Sequence, residues 1–243
     1  MKIDAKELER LAAAQPRLDM YSGIHKALRA CMADALLVLG RADVQDEQDL
    51  AQATGCVLEL LDFCQGHVRH ENEHVHRAME ARASGSCASV AHEHEQHLEH
   101  IGSLRTLVQA LAGAAPALRP VLAQQLYRGL ALFVADNFRH MHVEETAHNA
   151  VLWARYTDAE LAEVHDALVA SIPPAEMMQI ARWLVPNLNP AERLALLADM
   201  QAKAPAPAFQ ALLDGVRPHL AARAWAQLAR GLGLSPEAAR VPA

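Results

Sequence analysis

The chain has 243 residues, a net charge of −7 at pH 7 and 52% hydrophobic residues, while aromatic residues make up only 4%. This length suits one large domain, or one domain with an extension. A composition rich in Ala and Leu, with only 11 Gly, favours helices over sheets. The Lys and Arg residues are dispersed, which excludes a basic stripe for nucleic acid or a polybasic patch for membranes.

The first residues lack the apolar core of a signal peptide, and no apolar run approaches the length of a membrane span. We therefore expect a cytoplasmic protein with neither a membrane nor a nucleic-acid partner. The four cysteines form no CxxC pair, so we expect reduced side chains that pack on helices. They are Cys31, Cys56, Cys64 and Cys87.

Apolar residues at helical spacing predict four long helices. We expect these helices at about residues 18–41, 46–83, 87–113 and 120–154. The connections between them are short, so neighbouring helices should be antiparallel. The predicted fold is all-α, an up-down-up-down four-helix bundle with a C-terminal extension of short helices.

Weaker signals lie on either side of the four helices. A short helix is expected near residues 4–14, before a break at Pro16. After the bundle, the capping box Thr157–Glu160 predicts a further helix, and Asn189 before Pro190 predicts another. We expect a metal-binding bundle over residues 1–170 and a helical extension without an assigned role over residues 171–243.

The histidines are unevenly distributed. Of 14 in the chain, 11 lie between His67 and His148. A hydrated surface rich in histidine is one interpretation, and a ligand cluster is the other. Because an α-helix advances about 100° per residue, the phase of each histidine separates the two.

Each predicted helix places a histidine on its apolar face. His25 lies in the middle of the first face, and His94 lies on the third. The second and fourth helices carry the pairs His67–Glu71 and His140–Glu144, whose i, i+4 spacing directs both side chains to one spot. His76, His92, His100 and His142 lie off these faces, so we expect them at the surface.

A lone histidine on an apolar face is more often a hydrogen-bonded core residue than a ligand. Six or more ionisable groups in one core layer are different, since an unpaired buried charge costs several kcal/mol. A pair of divalent cations compensates for that cost, because imidazoles donate lone pairs and carboxylates bridge metals. The pattern therefore predicts a metal site.

These motifs resemble the bacterial hemerythrin-like, or HHE cation-binding, family over residues 15–170. They are an isolated His25, HVRHE from His67, His94-Glu95, and HMHVEE from His140. The resemblance implies a non-haem centre of two iron ions bridged by Glu71 and Glu144. The implied ligands are His25, His67, Glu71, His94, His140 and Glu144.

The chain departs from that family's pattern at Leu98. Oxygen-carrying members have a second histidine at this position, four residues after the ligand on the third helix. One iron is therefore short of a nitrogen donor, which water or another histidine would replace. The candidate donors are His70, His74, His97 and His148. Asn72 also stands where the family often has an acidic residue.

A ferritin-like di-iron carboxylate protein is the alternative, since Glu71–His74 and Glu145–His148 both fit its ExxH motif. Zinc or manganese are alternatives to iron. The resemblance favours a protein that binds or senses oxygen or nitric oxide, or handles iron, as a monomer or homodimer. The competing function is a di-iron enzyme of oxidase, peroxidase or nitric-oxide-reductase type, with peroxide as a further ligand.

Overall fold

A computed structural model describes residues 17–234, which form helices and no strand. The predicted helix at residues 4–14 lies outside this range. The four long helical segments of the bundle agree with the prediction and are α1 (Ser22–Arg41), α2 with its continuation α3 (Glu47–His70 and His76–Arg82), α4 (Ala88–Ala112), and α5 with its continuation α6 (Arg119–Val143 and Asn149–Arg155). Helix α7 (Asp158–Ser171) follows the predicted capping box, in which Thr157 and Glu160 exchange hydrogen bonds.

Local signals fix the helix ends. Asp46 begins α2, because its side chain accepts hydrogen bonds from the backbone of Gln48 and Asp49 at 2.8 and 3.0 Å. Helix α1 begins four residues later than expected, at Ser22. Asp19 Oδ1 accepts from the backbone of Tyr21 and Ser22 and so holds the preceding segment outside the helix.

One end of the bundle is closed by the buried side chain of Arg119. Its guanidinium donates to the backbone oxygens of Ala114 at 3.2 Å and Val44 at 3.4 Å, and it pairs with Glu47 at 2.7 Å. These contacts join the α1–α2 loop to the α4–α5 turn. Gln45 adds a hydrogen bond to the oxygen of Pro116 at 3.0 Å.

Two π-helical turns interrupt the long helices, and both begin at a glutamate of the predicted site. They span Glu71–Val75 and Glu144–His148. In each turn a backbone N–H donates to the backbone carbonyl oxygen five residues earlier. His76 donates to Glu71, and Asn149 donates to Glu144. A π-turn holds one more residue than an α-turn, so the helix beyond it resumes with a shifted phase.

The shifted phase overturns one prediction. His76 was expected at the surface, yet it is buried with 6% of its surface exposed. The extra residue in the turn brings it onto the same face as Glu71. Three other histidines were also predicted at the surface. His92 and His100 are exposed, and His142 is half-buried.

The chain separates into two compact units. Of the described residues, the first holds 17–22 and 34–171, and the second holds 23–33 and 172–234. No disulfide joins the four cysteines, and three of them are buried. Within residues 17–234, no helix combines the length and apolarity that a membrane crossing needs.

The second unit contains α8 (Pro174–Asn187), α9 (Pro190–Lys203), α10 (Ala206–Val216) and α11 (Ala222–Gly231). They share an apolar core that includes Leu197, Phe209 and Trp225. The capping box predicted at Asn189 is present, with Glu192 as its partner. Buried Arg193 donates to three backbone oxygens at the end of α8, those of Val185, Pro186 and Leu188.

We expect Asp46→Ala to lower the free energy of unfolding by about 1 kcal/mol, because two backbone N–H groups at the start of α2 lose their acceptor. Urea unfolding followed by circular dichroism measures the change. Asp46→Asn keeps an accepting oxygen and should stay close to the wild type. Equal losses in both variants would contradict this role for the side chain.

Candidate metal centre

Five of the six predicted ligands meet in one buried layer of the first unit. His94, His140, Glu71 and Glu144 are buried, and the His67 side chain is only 10% exposed. His25, which belongs to the second unit, is also buried. The two i, i+4 pairs have the expected geometry. His67 Nε2 lies 3.2 Å from Glu71 Oε1, and His140 Nε2 lies 3.1 Å from Glu144 Oε1.

Two imidazoles approach each other closely in this layer. His94 Nε2 and His140 Nε2 are 3.0 Å apart. The same His94 atom lies 3.4 Å from Glu71 Oε2 and 3.5 Å from Glu144 Oε1. Two ring nitrogens and two carboxylates therefore converge on one small volume.

Hydrogen bonds to the Nδ1 atoms of His94 and His140 show which ring nitrogen carries the hydrogen. His140 Nδ1 lies 2.8 Å from Glu93 Oε2, and because a carboxylate only accepts, Nδ1 carries the hydrogen. His94 Nδ1 makes a matching bond of 2.8 Å to Asn72 Oδ1. When these rings are neutral, each Nε2 atom carries a lone pair and no hydrogen, and the two Nε2 atoms face each other. Such partners orient metal-bound histidines in proteins.

The electrostatics of the layer call for positive charge. Burial lowers the pKa of His94, but Glu144 and Glu71 outweigh burial and raise this pKa to about 9. The pKa of His140 is likewise raised, because Glu144 and Glu93 outweigh its burial. Burial and the charge of Glu71 act to raise the pKa of Glu144, yet His140 and His94 bring it below its usual value.

The donor set fits a metal pair. Glu71 and Glu144 belong to two groups whose ligand atoms lie within 4.8 Å of one another, one with His25 and His67, the other with His94 and His140. Both carboxylates are shared, as bridging ligands must be. Two nitrogens bound to one ion at about 2.1 Å and at a right angle stand about 3 Å apart, and the His94–His140 distance is 3.0 Å.

A third group adjoins these two. Ligand atoms of His76, His148 and Glu144 also lie within 4.8 Å of one another. His148 was an additional candidate from the sequence, and His76 was not a candidate. The Tyr21 hydroxyl lies 3.3 Å from Nδ1 of His148.

The other candidate donors lie outside these groups. His70 is buried, with Nε2 3.1 Å from an Arg69 nitrogen, and His74 is half-buried. His97 is buried, and its ring centroid lies 4.6 Å from that of His140. Leu98, which stands where oxygen-carrying relatives have a histidine, is 40% exposed. The buried residues of α4 include His94, His97 and Ile101, so position 98 points away from the layer.

The chain matches a known protein family. The family model of the hemerythrin HHE cation-binding domain matches residues 8–148. The chain belongs to this family. No curated protein and no solved structure matches it.

Membership of the hemerythrin HHE family, together with the clustered His and Glu side chains, makes this a metal-binding hemerythrin-like protein. It also favours this interpretation over the ferritin-like alternative, whose ExxH residues His74 and Glu145 belong to no ligand group.

Two outer partners of this hemerythrin-like site, Glu93 and Asn72, were not predicted from the sequence. Glu93 carries no periodic signal, because its side chain is 38% exposed at the rim of α4. Asn72 was noticed only as a departure from an acidic residue, yet its amide oxygen accepts from His94. A carboxylate next to a ligand histidine is too common in sequences to be diagnostic.

We expect Glu93→Ala to lower metal affinity about 10- to 100-fold, because His140 loses the partner that orients its ring. Competition with a chromophoric chelator measures the affinity. Glu95→Ala is the matched control on the same helix, since the Glu95 side chain is 77% exposed and pairs with exposed His92. Equal affinities in the two variants would argue against an orienting role for Glu93.

We expect a chelator to lower the melting midpoint of the metal-loaded protein. An ion present at 100 times its dissociation constant stabilises the folded state by about 2.7 kcal/mol. Glu144→Gln should abolish most of this response, because Glu144 belongs to all three ligand groups. Differential scanning calorimetry with and without chelator measures it, and an unchanged midpoint in the wild type would contradict a folding role for the metal.

Proposed function

We propose that the protein holds two iron ions in this layer and binds a small diatomic molecule, oxygen or nitric oxide. The observation that carries the proposal is the His94–His140 pair, whose Nε2 atoms meet at 3.0 Å between two shared carboxylates. The predicted ligands remain His25, His67, Glu71, His94, His140 and Glu144. Zinc or manganese would occupy the same donors.

The bound pair would supply redox-active Lewis-acid centres with an open position for a ligand. The chain supplies the rest. Glu71 directs its two oxygens to different imidazoles, those of His67 and His94, and so links the two halves of the site. Glu93 and Asn72 hold His140 and His94 in one tautomer.

Burial supports a small ligand. The side chains of Glu144, His94 and His140 are 0%, 1% and 4% exposed. A molecule that reaches them has to pass between packed helices, which favours an uncharged diatomic over a larger metabolite.

Iron content and spectra test this proposal. Protein purified from iron-replete cells should hold close to two irons per chain and show near-ultraviolet charge-transfer bands of a coupled ferric pair after exposure to air. His94→Gln should reduce both, while exposed His100→Gln should change neither. A colourless wild type, or one that holds a single zinc, would sink the proposal.

Ligand binding is tested separately with the reduced protein. Nitric oxide should change the spectrum with a saturable stoichiometry and should not be consumed further. Sustained consumption of nitric oxide or peroxide above that of free iron would replace the binding function with the alternative, an enzyme.

A further inference from the structure

The third ligand group owes its position to the two π-turns. His76 follows the first turn directly, and His148 closes the second. Their rings meet edge to face with centroids 5.5 Å apart, and His76 stacks on His94 with centroids 4.9 Å apart. His76 and His148 are 6% and 3% exposed. Both imidazoles therefore lie deep in the first unit, beside the layer already described.

These two histidines belong to neither of the four-membered groups. Only Glu144 is common to all three sets of ligand atoms. A side chain that completed the coordination of the His94–His140 group would have to approach Glu71 as closely as Glu144, and His76 and His148 are not part of that set. The geometry therefore separates a further position from the metal pair.

Ordinary core packing does not account for His76. Its Nε2 is buried and has no hydrogen-bond partner among residues 17–234. Leaving a buried polar atom unsatisfied costs about 1–3 kcal/mol. His148 is different, because its Nδ1 lies 3.3 Å from the Tyr21 hydroxyl, which can accept the ring hydrogen and leave Nε2 with its lone pair.

We propose that His76, His148 and Glu144 form a third cation subsite, which binds a first-row divalent ion with Zn²⁺ as its representative. Two imidazoles and one carboxylate are a common ligand set for such ions, with solvent in the remaining positions. The ion would satisfy the Nε2 atom of His76 and add positive charge next to Glu144. The subsite shares Glu144 with the proposed iron pair, but His76 and His148 belong to the subsite alone, so variants of these two histidines test it separately.

Zinc stoichiometry of the metal-free full chain tests the subsite. Native mass spectrometry after Zn²⁺ addition should count three ions in the wild type and two in both His76→Gln and His148→Gln. His92→Gln is the matched control for zinc held by exposed histidines, since the His92 side chain is 68% exposed. It should keep the wild-type count, and far-ultraviolet circular dichroism should show equal helicity in all variants.

His94→Gln separates the two proposals, because it disturbs the metal pair and leaves His76 and His148 intact. If His76→Gln keeps the wild-type count while His94→Gln lowers it, the subsite is wrong and the pair stands. If only His76→Gln and His148→Gln lower the count, the subsite stands and the pair is wrong. A wild type that saturates at two ions and falls to one in His76→Gln would make His76 a ligand of the pair and overturn the separate subsite.

Discussion

Two buried carboxylates in the helical bundle determine which groups can surround them. Glu71 and Glu144 are 3% and 0% exposed, and an oxygen of each lies within 3.5 Å of His94 Nε2. Carboxylates in such a place lose their hydration and repel each other unless positive charge comes between them. The raised pKa of His94, about 9, places positive charge between them when no metal is bound, and cations would provide it otherwise. Metal content and folding are then parts of one equilibrium.

The π-turns solve a geometric problem for such a layer. A regular α-helix returns to the same face after three or four residues, which limits how many ionisable groups it directs to one point. By inserting one residue after Glu71, α2 and α3 present both the His67–Glu71 pair and His76 to the interior. The second turn does the same for Glu144 and His148. Turns of this kind are rare and are frequent at functional sites.

Much of the fold could be predicted because its signals are local. Caps such as Asp46 and the Thr157–Glu160 box mark helix ends within a few residues, and the HxxxE spacing survives any error in those ends. The position of His76 could not be predicted, because a period of 3.6 residues places it on the exposed side and nothing in the composition of residues 71–75 announces a π-turn. The rotation of α4 about its axis could not be predicted either. It decides that His97 is buried and Leu98 is exposed.

Tertiary hydrogen bonds were the least predictable feature, since they join residues that the sequence keeps far apart. Glu93 and His140 are separated by 47 positions, and Asn72 and His94 by 22. Side chains at the rim of a helix follow neither the apolar nor the polar periodicity. Their partners depend on how two helices are rotated against each other, and only the folded chain fixes that rotation.

The Arg119 contacts give the two ends of the bundle different dependence on solution conditions. At the loop end, a guanidinium holds backbone oxygens of Ala114 and Val44, and these bonds need no metal. The opposite end depends on the charge balance around Glu144. Loss of cations would therefore cause local unfolding at the histidine end of the bundle. The loop end, held by Arg119, would stay folded and keep the helices in register.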